Sequence, residues 1–157
     1  MNVQIISHFT NPAHKIPKYA TPMSAAVDLR LYLVEDGATK TLEPGESSMA
    51  SLGIQLNMTR DIAAFIFPRS GLGSIGVSEY GEGAGLVITN GVAVIDADYH
   101  RVLFAPLVNR TAEPLVLAHG DRILQLVFMP VVRAELEEVD SFDNPSARGG
   151  LGSTGIK

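Results

Sequence analysis

The apolar residues of this 157-residue chain come in short runs that alternate with polar ones, and almost nowhere do they hold a helical period for more than two turns. "VDLRLYL" sets Val27, Leu29, Leu31 and Leu33 against Asp28, Arg30 and Tyr32, the period of a strand with one buried face. Similar runs follow in "SLGIQLNM", "AAFIFP", "GLVITNGVAVI", "VLFAPLV", "EPLVLA", "ILQLVFMPVV" and "AELEEV". Turn chemistry separates them in "VEDGATK", "LEPGES", "NRTAEP" and "AHGDR". About eight or more strands with at most one short helix predict an all-β fold, a jelly-roll-like distorted barrel, with an open sandwich as the alternative. Two segments break the rhythm. "GLGSIGVSEYGEGAG", Gly71 to Gly85, reads as a glycine-rich loop between strands, and "DSFDNPSARGGLGSTGIK", Asp140 to Lys157, is too polar to bury a face. The expected organisation is one domain over residues 1–139 and a mobile tail over 140–157. No internal repeat is visible.

Composition narrows the functions open to such a fold. The hydrophobic content of 46% supports a single unit with its own core. A net charge of −5 argues against a surface built for a nucleic-acid backbone, but leaves room for a small phosphorylated ligand held by a local cluster of donors. The absence of cysteine excludes disulfides and thiolate chemistry. The N-terminus lacks the basic start and long apolar run of a signal peptide, and no stretch approaches the ~20 apolar residues of a membrane span. These features predict a soluble, cytoplasmic protein. His8, His14, His100 and His119 lack the paired spacing of zinc ligands. No serine stands in a nucleophile elbow. The acidic run "ELEEVDSFD" reads as a solvated edge.

Four constellations carry possible chemistry. In "VIDADY" a buried strand ends on Asp96 and Asp98, which share a side by the period of two, with Tyr99 behind them. Alone, this is either an ordinary turn or a carboxylate site. "FPRSGLG", Phe67 to Gly73, offers a guanidinium, a hydroxyl and glycine amides, all donors suited to phosphate oxygens, or else a surface turn. "HGDRILQL" places Asp121 and Arg122 at a turn and Gln125 inside an apolar strand, where an amide needs a partner. "RGGLGSTG", Arg148 to Gly155, is similar to a phosphate-cradling loop, yet it lacks the lysine and the following helix of a P-loop.

Taken in order, "SAAVDL", "PRSGLG", "NGVAVIDADY", "GDRILQL" and "RGGLGSTG" resemble the five motifs of the trimeric all-β deoxyuridine triphosphatases, across nearly the whole chain. The resemblance implies a homotrimer whose three active sites each collect residues from all three chains, Mg²⁺ as cofactor, and hydrolysis of dUTP to dUMP and pyrophosphate. On this chain it implies Asp96 as the general base for a water attacking the α-phosphorus. Tyr99 would pack under the deoxyribose and exclude a 2′-hydroxyl. Asn90, at the tip of an "ITNGVAVI" hairpin, would join backbone groups at Gly91 in reading the uracil edge. Arg69, Ser70 and Gly71 would bind the phosphate chain, Gln125 would reach a phosphate oxygen or the water, and Asp28 would hold waters on the metal. Arg148, Leu151, Gly152 and Ser153 would close over the nucleotide. Asp98 is left a structural task at the turn. No nucleic-acid or membrane partner is implied.

The chain departs from the family pattern at definite places. Ala26 and Ala93 stand where glycines are usual, Leu151 where an aromatic stacks on the base, and Ser146 where an arginine is expected, with Arg148 three residues before Leu151 instead. The loop between Gly73 and Asn90 is longer than the pattern. Two other readings remain: a deoxycytidine triphosphate deaminase of the same superfamily, and a regulatory protein that contacts a partner through the 73–90 loop. Leu151 turns one departure into a measurement. If Leu151 covers the uracil face, Leu151→Phe adds the ring-on-ring contribution and should lower the Michaelis constant for dUTP about fivefold, corresponding to ~1 kcal/mol. If Arg148 lies across the base instead, Leu151→Phe is neutral or harmful and Arg148→Ala weakens binding strongly.

Overall fold

The computed structural model describes residues 2–35, 37–73 and 85–147. Among them are eleven strands and one helical turn: β1 (Gln4–Ser7), β2 (Val27–Arg30), β3 (Thr39–Leu42), β4 (Ser47–Ser51), β5 (Ile54–Asn57), β6 (Ile62–Pro68), α1 (Ser70–Gly73), β7 (Leu86–Ile88), β8 (Ala93–Ile95), β9 (Phe104–Asn109), β10 (Leu115–Ala118) and β11 (Arg122–Pro130). All registered pairs are antiparallel. They form a four-stranded sheet in the order β2-β11-β6-β8, a three-stranded sheet β4-β9-β7, and two ribbons, β1-β5 and β10-β3. Leu29, Leu42, Leu52, Ile54, Ile66, Leu86, Leu103, Leu107 and Leu124 are fully buried in one shared core.

The four-stranded sheet follows from the composition of β6. "IAAFIFP" is apolar at every position, so it belongs inside a sheet, and it takes β11 on one side and β8 on the other. Pro68, which has no N–H for a further ladder bond, is its last residue. β2 joins the far edge of β11, with Val27 and Leu29 pointing into the core and Asp28 and Arg30 outward.

A second proline decides where the chain changes sheets. Pro106 sits inside the central strand β9, where it cannot donate to a neighbour. Its carbonyl accepts the Thr89 N–H at 2.9 Å, one residue beyond the end of β7, so the missing donor falls where that ladder stops. The chain then turns through Thr89–Val92. Gly91 N–H reaches the Ile88 carbonyl at 3.0 Å, and Gly91 adopts φ +78°, a conformation that favours glycine.

Most of the strands expected from the sequence are present, with three differences. "ITNGVAVI" is no hairpin: β7 pairs with β9 and β8 with β6, so the turn at Asn90–Gly91 joins two sheets. "AELEEV" forms no strand. Residues 134–139 are all exposed, and Leu136, the apolar residue between glutamates, packs into no core among the described residues. Conversely β1, β3 and most of β4 escaped the pattern because "QIIS", "TKTL" and "SSMAS" bury few side chains.

Asn109 ties the end of β9 to its surroundings and is completely buried. Its side-chain N–H groups donate to the carbonyls of Leu42 at 2.9 Å and Glu113 at 2.8 Å, and its oxygen accepts from the Thr111 N–H and hydroxyl. Every polar atom of the amide is thus engaged, as burial requires. Asn109→Ala leaves two carbonyls, an N–H and a hydroxyl without that partner and should destabilise the fold by about 2–4 kcal/mol in urea unfolding. Asn109→Asp, which sets oxygens against carbonyls, should be no better, and wild-type midpoints for both would remove the amide from this role.

Candidate active site

The register of the four-stranded sheet lines up a row of side chains on its outer face. Asp28 on β2 stands opposite Gln125 on β11, which stands opposite Phe67 on β6. Beyond Phe67 the chain leaves the sheet at Pro68 and Arg69 and enters α1, closed by the Gly73 N–H to the Arg69 carbonyl at 2.9 Å. Asp28, Arg69, Ser70 and Gln125 therefore share one cleft, with Ser24 and Ala26 on its other wall.

Charge in this cleft is arranged around Asp28. Its Oδ1 meets Arg69 Nε at 2.7 Å and its Oδ2 meets Arg122 Nη1 at 3.1 Å, while Arg69 Nη1 donates to the Arg122 carbonyl at 2.8 Å. Two of the five guanidinium N–H groups of Arg69 are used in this way, which leaves three for a ligand. The Gln125 amide is fixed as well, because its Nε2 donates to the Pro68 carbonyl at 2.9 Å. One N–H and the amide oxygen remain for other partners, so Gln125 can serve a phosphate oxygen and a water. Gly71 adjoins a neighbouring hollow with Arg69 and Arg122.

A second cleft runs along β8, the neighbour of β6 on the side away from β11, and its Asp96 end lies toward the start of β6. It is lined by Asn90 from the turn between sheets, Ala93, Val94 and Ile95 of β8, Asp96, Tyr99 and Phe104. β8 ends at Ile95, and the next residues turn, with the Tyr99 N–H donating to the Asp96 carbonyl at 3.1 Å. The Tyr99 hydroxyl reaches the Val102 carbonyl at 3.4 Å, and its ring is 40% exposed. The cleft thus offers an exposed carboxylate, an amide and a flat apolar ring. Asp98 is exposed and does not line it. Phe104 was missed in the sequence: "VLFAPLV" puts it on the outer side of β9, where an aromatic left 45% exposed was the available signal.

The two clefts have no residue in common. Ile95 pairs with Ala64, so Asp96 continues the strand level with Ala63, whereas Gln125 is level with Phe67. Four residues along a strand is about 13 Å, so one chain keeps the carboxylate and the arginine cleft well apart. Gly91 sits in the turn beside Asn90, and Arg148, Leu151, Gly152 and Ser153 lie outside the described residues. No group of three or more His, Asp or Glu side chains among the described residues is placed to hold a metal. No helix among them is long and apolar enough to cross a membrane.

Comparison with known proteins points the same way. The dUTPase family model matches residues 13–155. The chain is 40% identical over 159 residues to a deoxyuridine 5′-triphosphate nucleotidohydrolase of Shewanella sediminis, covering 100% of this chain and 97% of that protein. It is also 40% identical over 146 residues to one of Desulfitobacterium hafniense, covering 92% and 89% of the two chains. Among solved structures, the dUTPase of Staphylococcus bacteriophage 80alpha with dUPNHPP superposes with a TM-score of 0.78 at 23% identity, over 99% of both chains. A dUTPase mutant of phage phi11, described with a structural Mg(II) ion, superposes with a TM-score of 0.73 at 19% identity, over 92% of this chain and 100% of the other. The fold is the jelly-roll-like one of these proteins.

Proposed function

The chain belongs to the dUTPase family, and we propose that it hydrolyses dUTP to dUMP and pyrophosphate in sites shared between subunits of a homotrimer. The observation that carries the shared site is the separation of the two clefts. A carboxylate to activate water and an arginine, hydroxyl and amide to hold phosphates are both present, but at opposite ends of β6. Packing one subunit's Asp96 end against the arginine cleft of the next would bring them together, and threefold closure would repeat this three times.

In such a site the nucleoside enters the cleft of Asn90 and Tyr99. The Asn90 amide, able to donate and accept, reads the uracil edge with the backbone at Gly91, and the Tyr99 ring lies under the deoxyribose. The triphosphate runs toward the Arg69 guanidinium, the Ser70 hydroxyl and the Gly71 amide of the neighbouring subunit. Asp96 takes a proton from a water whose oxygen attacks the α-phosphorus, and the bond to the bridging oxygen breaks as pyrophosphate leaves. Arg69 and the N–H of Gln125 stabilise charge on the phosphoryl oxygens, while the Gln125 carbonyl orients the water.

The described residues fit a metal carried in by the triphosphate better than one held by the protein alone, because both Asp28 oxygens already face arginines and no acidic cluster adjoins them. A Mg²⁺ that takes most of its oxygens from phosphates and water needs few protein ligands, and Asp28 would hold its waters. Bound there, the ion would neutralise phosphate charge. Residues 140–157, with Arg148, Leu151, Gly152 and Ser153, would close over the nucleotide and exclude bulk water. A nucleoside triphosphate substrate supports action in the cytoplasm.

Asp96→Asn keeps the shape of the side chain but cannot take the proton. It should lower dUTP turnover about a hundredfold or more while leaving binding of a non-hydrolysable analogue largely intact. Retention of more than about a tenth of turnover would remove Asp96 from the base role. Mixing Asp96→Asn subunits with subunits truncated after Asn144 should restore part of the activity through mixed trimers. A fully active monomer in sedimentation would contradict shared sites.

A further inference from the structure

We propose that Arg122 is a positioning residue for triphosphate binding, acting through Asp28 on Arg69; this rests on the assignment of the arginine cleft to the phosphates. The route begins in the strand pattern. From Leu126 to Leu124 the pairing of β11 with β2 is regular, with Leu124 opposite Leu29, Gln125 opposite Asp28 and Leu126 opposite Val27. Continued without change, this alternation would turn Arg122 toward the core beside Leu124. The register instead shifts between Arg122 and Leu124, and Arg122 falls opposite Arg30. Ile123 and Leu124, adjacent in sequence, are both 1% exposed, and this break in the period of two returns Arg122 to the outer face. A bulge that re-aims one side chain is a device found next to active sites.

The re-aimed residue braces Arg69 twice. Its backbone carbonyl accepts from Arg69 Nη1 at 2.8 Å, and its side chain pins the Asp28 oxygen that Arg69 leaves open, at 3.1 Å. With Arg69 alone, the Asp28 carboxylate could rotate about its terminal bond and carry the guanidinium with it. With both oxygens held, the plane of Arg69 is set before a ligand arrives. The Arg122 side chain is 50% exposed against 19% for Asp28, so its task is at the surface and not in the core. The turn that feeds it is fixed as well: Gly120 adopts φ +88°, and the Asp121 carboxylate accepts the Ala118 N–H at 2.8 Å.

The test is binding of the non-hydrolysable imido analogue of dUTP, and of dUMP, by calorimetry in EDTA and in magnesium. Arg122→Ala should weaken the analogue about tenfold in both conditions and leave dUMP, which lacks the β- and γ-phosphates, within about twofold. Arg122→Lys, which restores one charge on Asp28, should recover part of the loss, and Arg122→Gln serves if the alanine variant does not fold. Because the effect passes through Asp28, Arg122→Ala placed on Asp28→Asn should add little to the loss caused by Asp28→Asn alone. Additive losses would mean that Arg122 touches the phosphates itself, and wild-type affinity in Arg122→Ala would mean that it positions nothing; either result overturns the proposal. Failure of the unmodified protein to bind the analogue would instead sink the functional reading beneath it.

Discussion

The ladder between β6 and β11 is the constraint on which the rest of the molecule depends. It runs from Leu124 opposite Pro68 to Pro130 opposite Ile62 without a break. β6 is apolar along its length and so must lie inside a sheet; once β11 covers one side and β8 the other, the position of every outward residue follows. A slip of one residue along β11 would carry Gln125 into the core and turn Leu124 and Leu126 out, at a cost of about 1.5–3 kcal/mol for each exposed leucine. The same register that seats the core therefore places Gln125 beside Asp28 at one end of β6 and Ile95 before Asp96 at the other. The distance between Asp96 and Gln125 is a property of the two ladders on either side of β6.

Much of this was legible in the sequence where alternation was strong. "VDLRLYL" gave both the strand and the outward side of Asp28, and "AAFIFP" marked the central strand by having no polar side at all. The grouping of Asp28, Arg69, Ser70 and Gln125 came from motif order, and the sheet register supplies its physical reason. What escaped has equally local causes. β3 pairs with β10 although its side chains are mostly polar, because backbone groups make the ladder and only Leu42 of β3 is buried. The partners of β7 and β8 depend on Pro106 and on Gly91, residues whose effect is on backbone donors and dihedrals and not on hydrophobic pattern. Arg122 looked like a turn residue because a bulge leaves no mark except two adjacent buried apolar residues.

The charge of the chain makes the arginine cleft instructive. A protein with a net charge of −5 is asked to bind a polyanion, yet the repulsion is screened beyond ~8 Å at physiological ionic strength, so nearby donors decide the outcome. Placing Asp28 among those donors looks like a loss, since it subtracts a positive charge next to the phosphates. An arginine side chain, however, carries about 2 kcal/mol of rotamer freedom, and a free one must give this up when it grips a ligand. Held by Asp28 and by the Arg122 carbonyl, Arg69 has lost that freedom on folding. Charge is exchanged for pre-organisation, and Arg122 returns one unit of positive charge to the same spot.

Rigidity also favours the proposed sharing of the site between subunits. A single chain that closed around a triphosphate by itself would have to bring Asp96 within reach of the α-phosphorus by bending β6, and β6 is paired on both sides. A rigid ladder cannot supply that motion at small cost, because each residue freed from it exposes apolar surface and unpaired backbone. Taking the Asp96 carboxylate from a neighbour, as proposed, would need no bending at all. In the proposed trimer two rigid halves would meet by placement of whole subunits, with no change inside the ladder. The rigidity that fixes the geometry of each cleft would thus also favour the proposed assembly of the complete site from several copies of one chain.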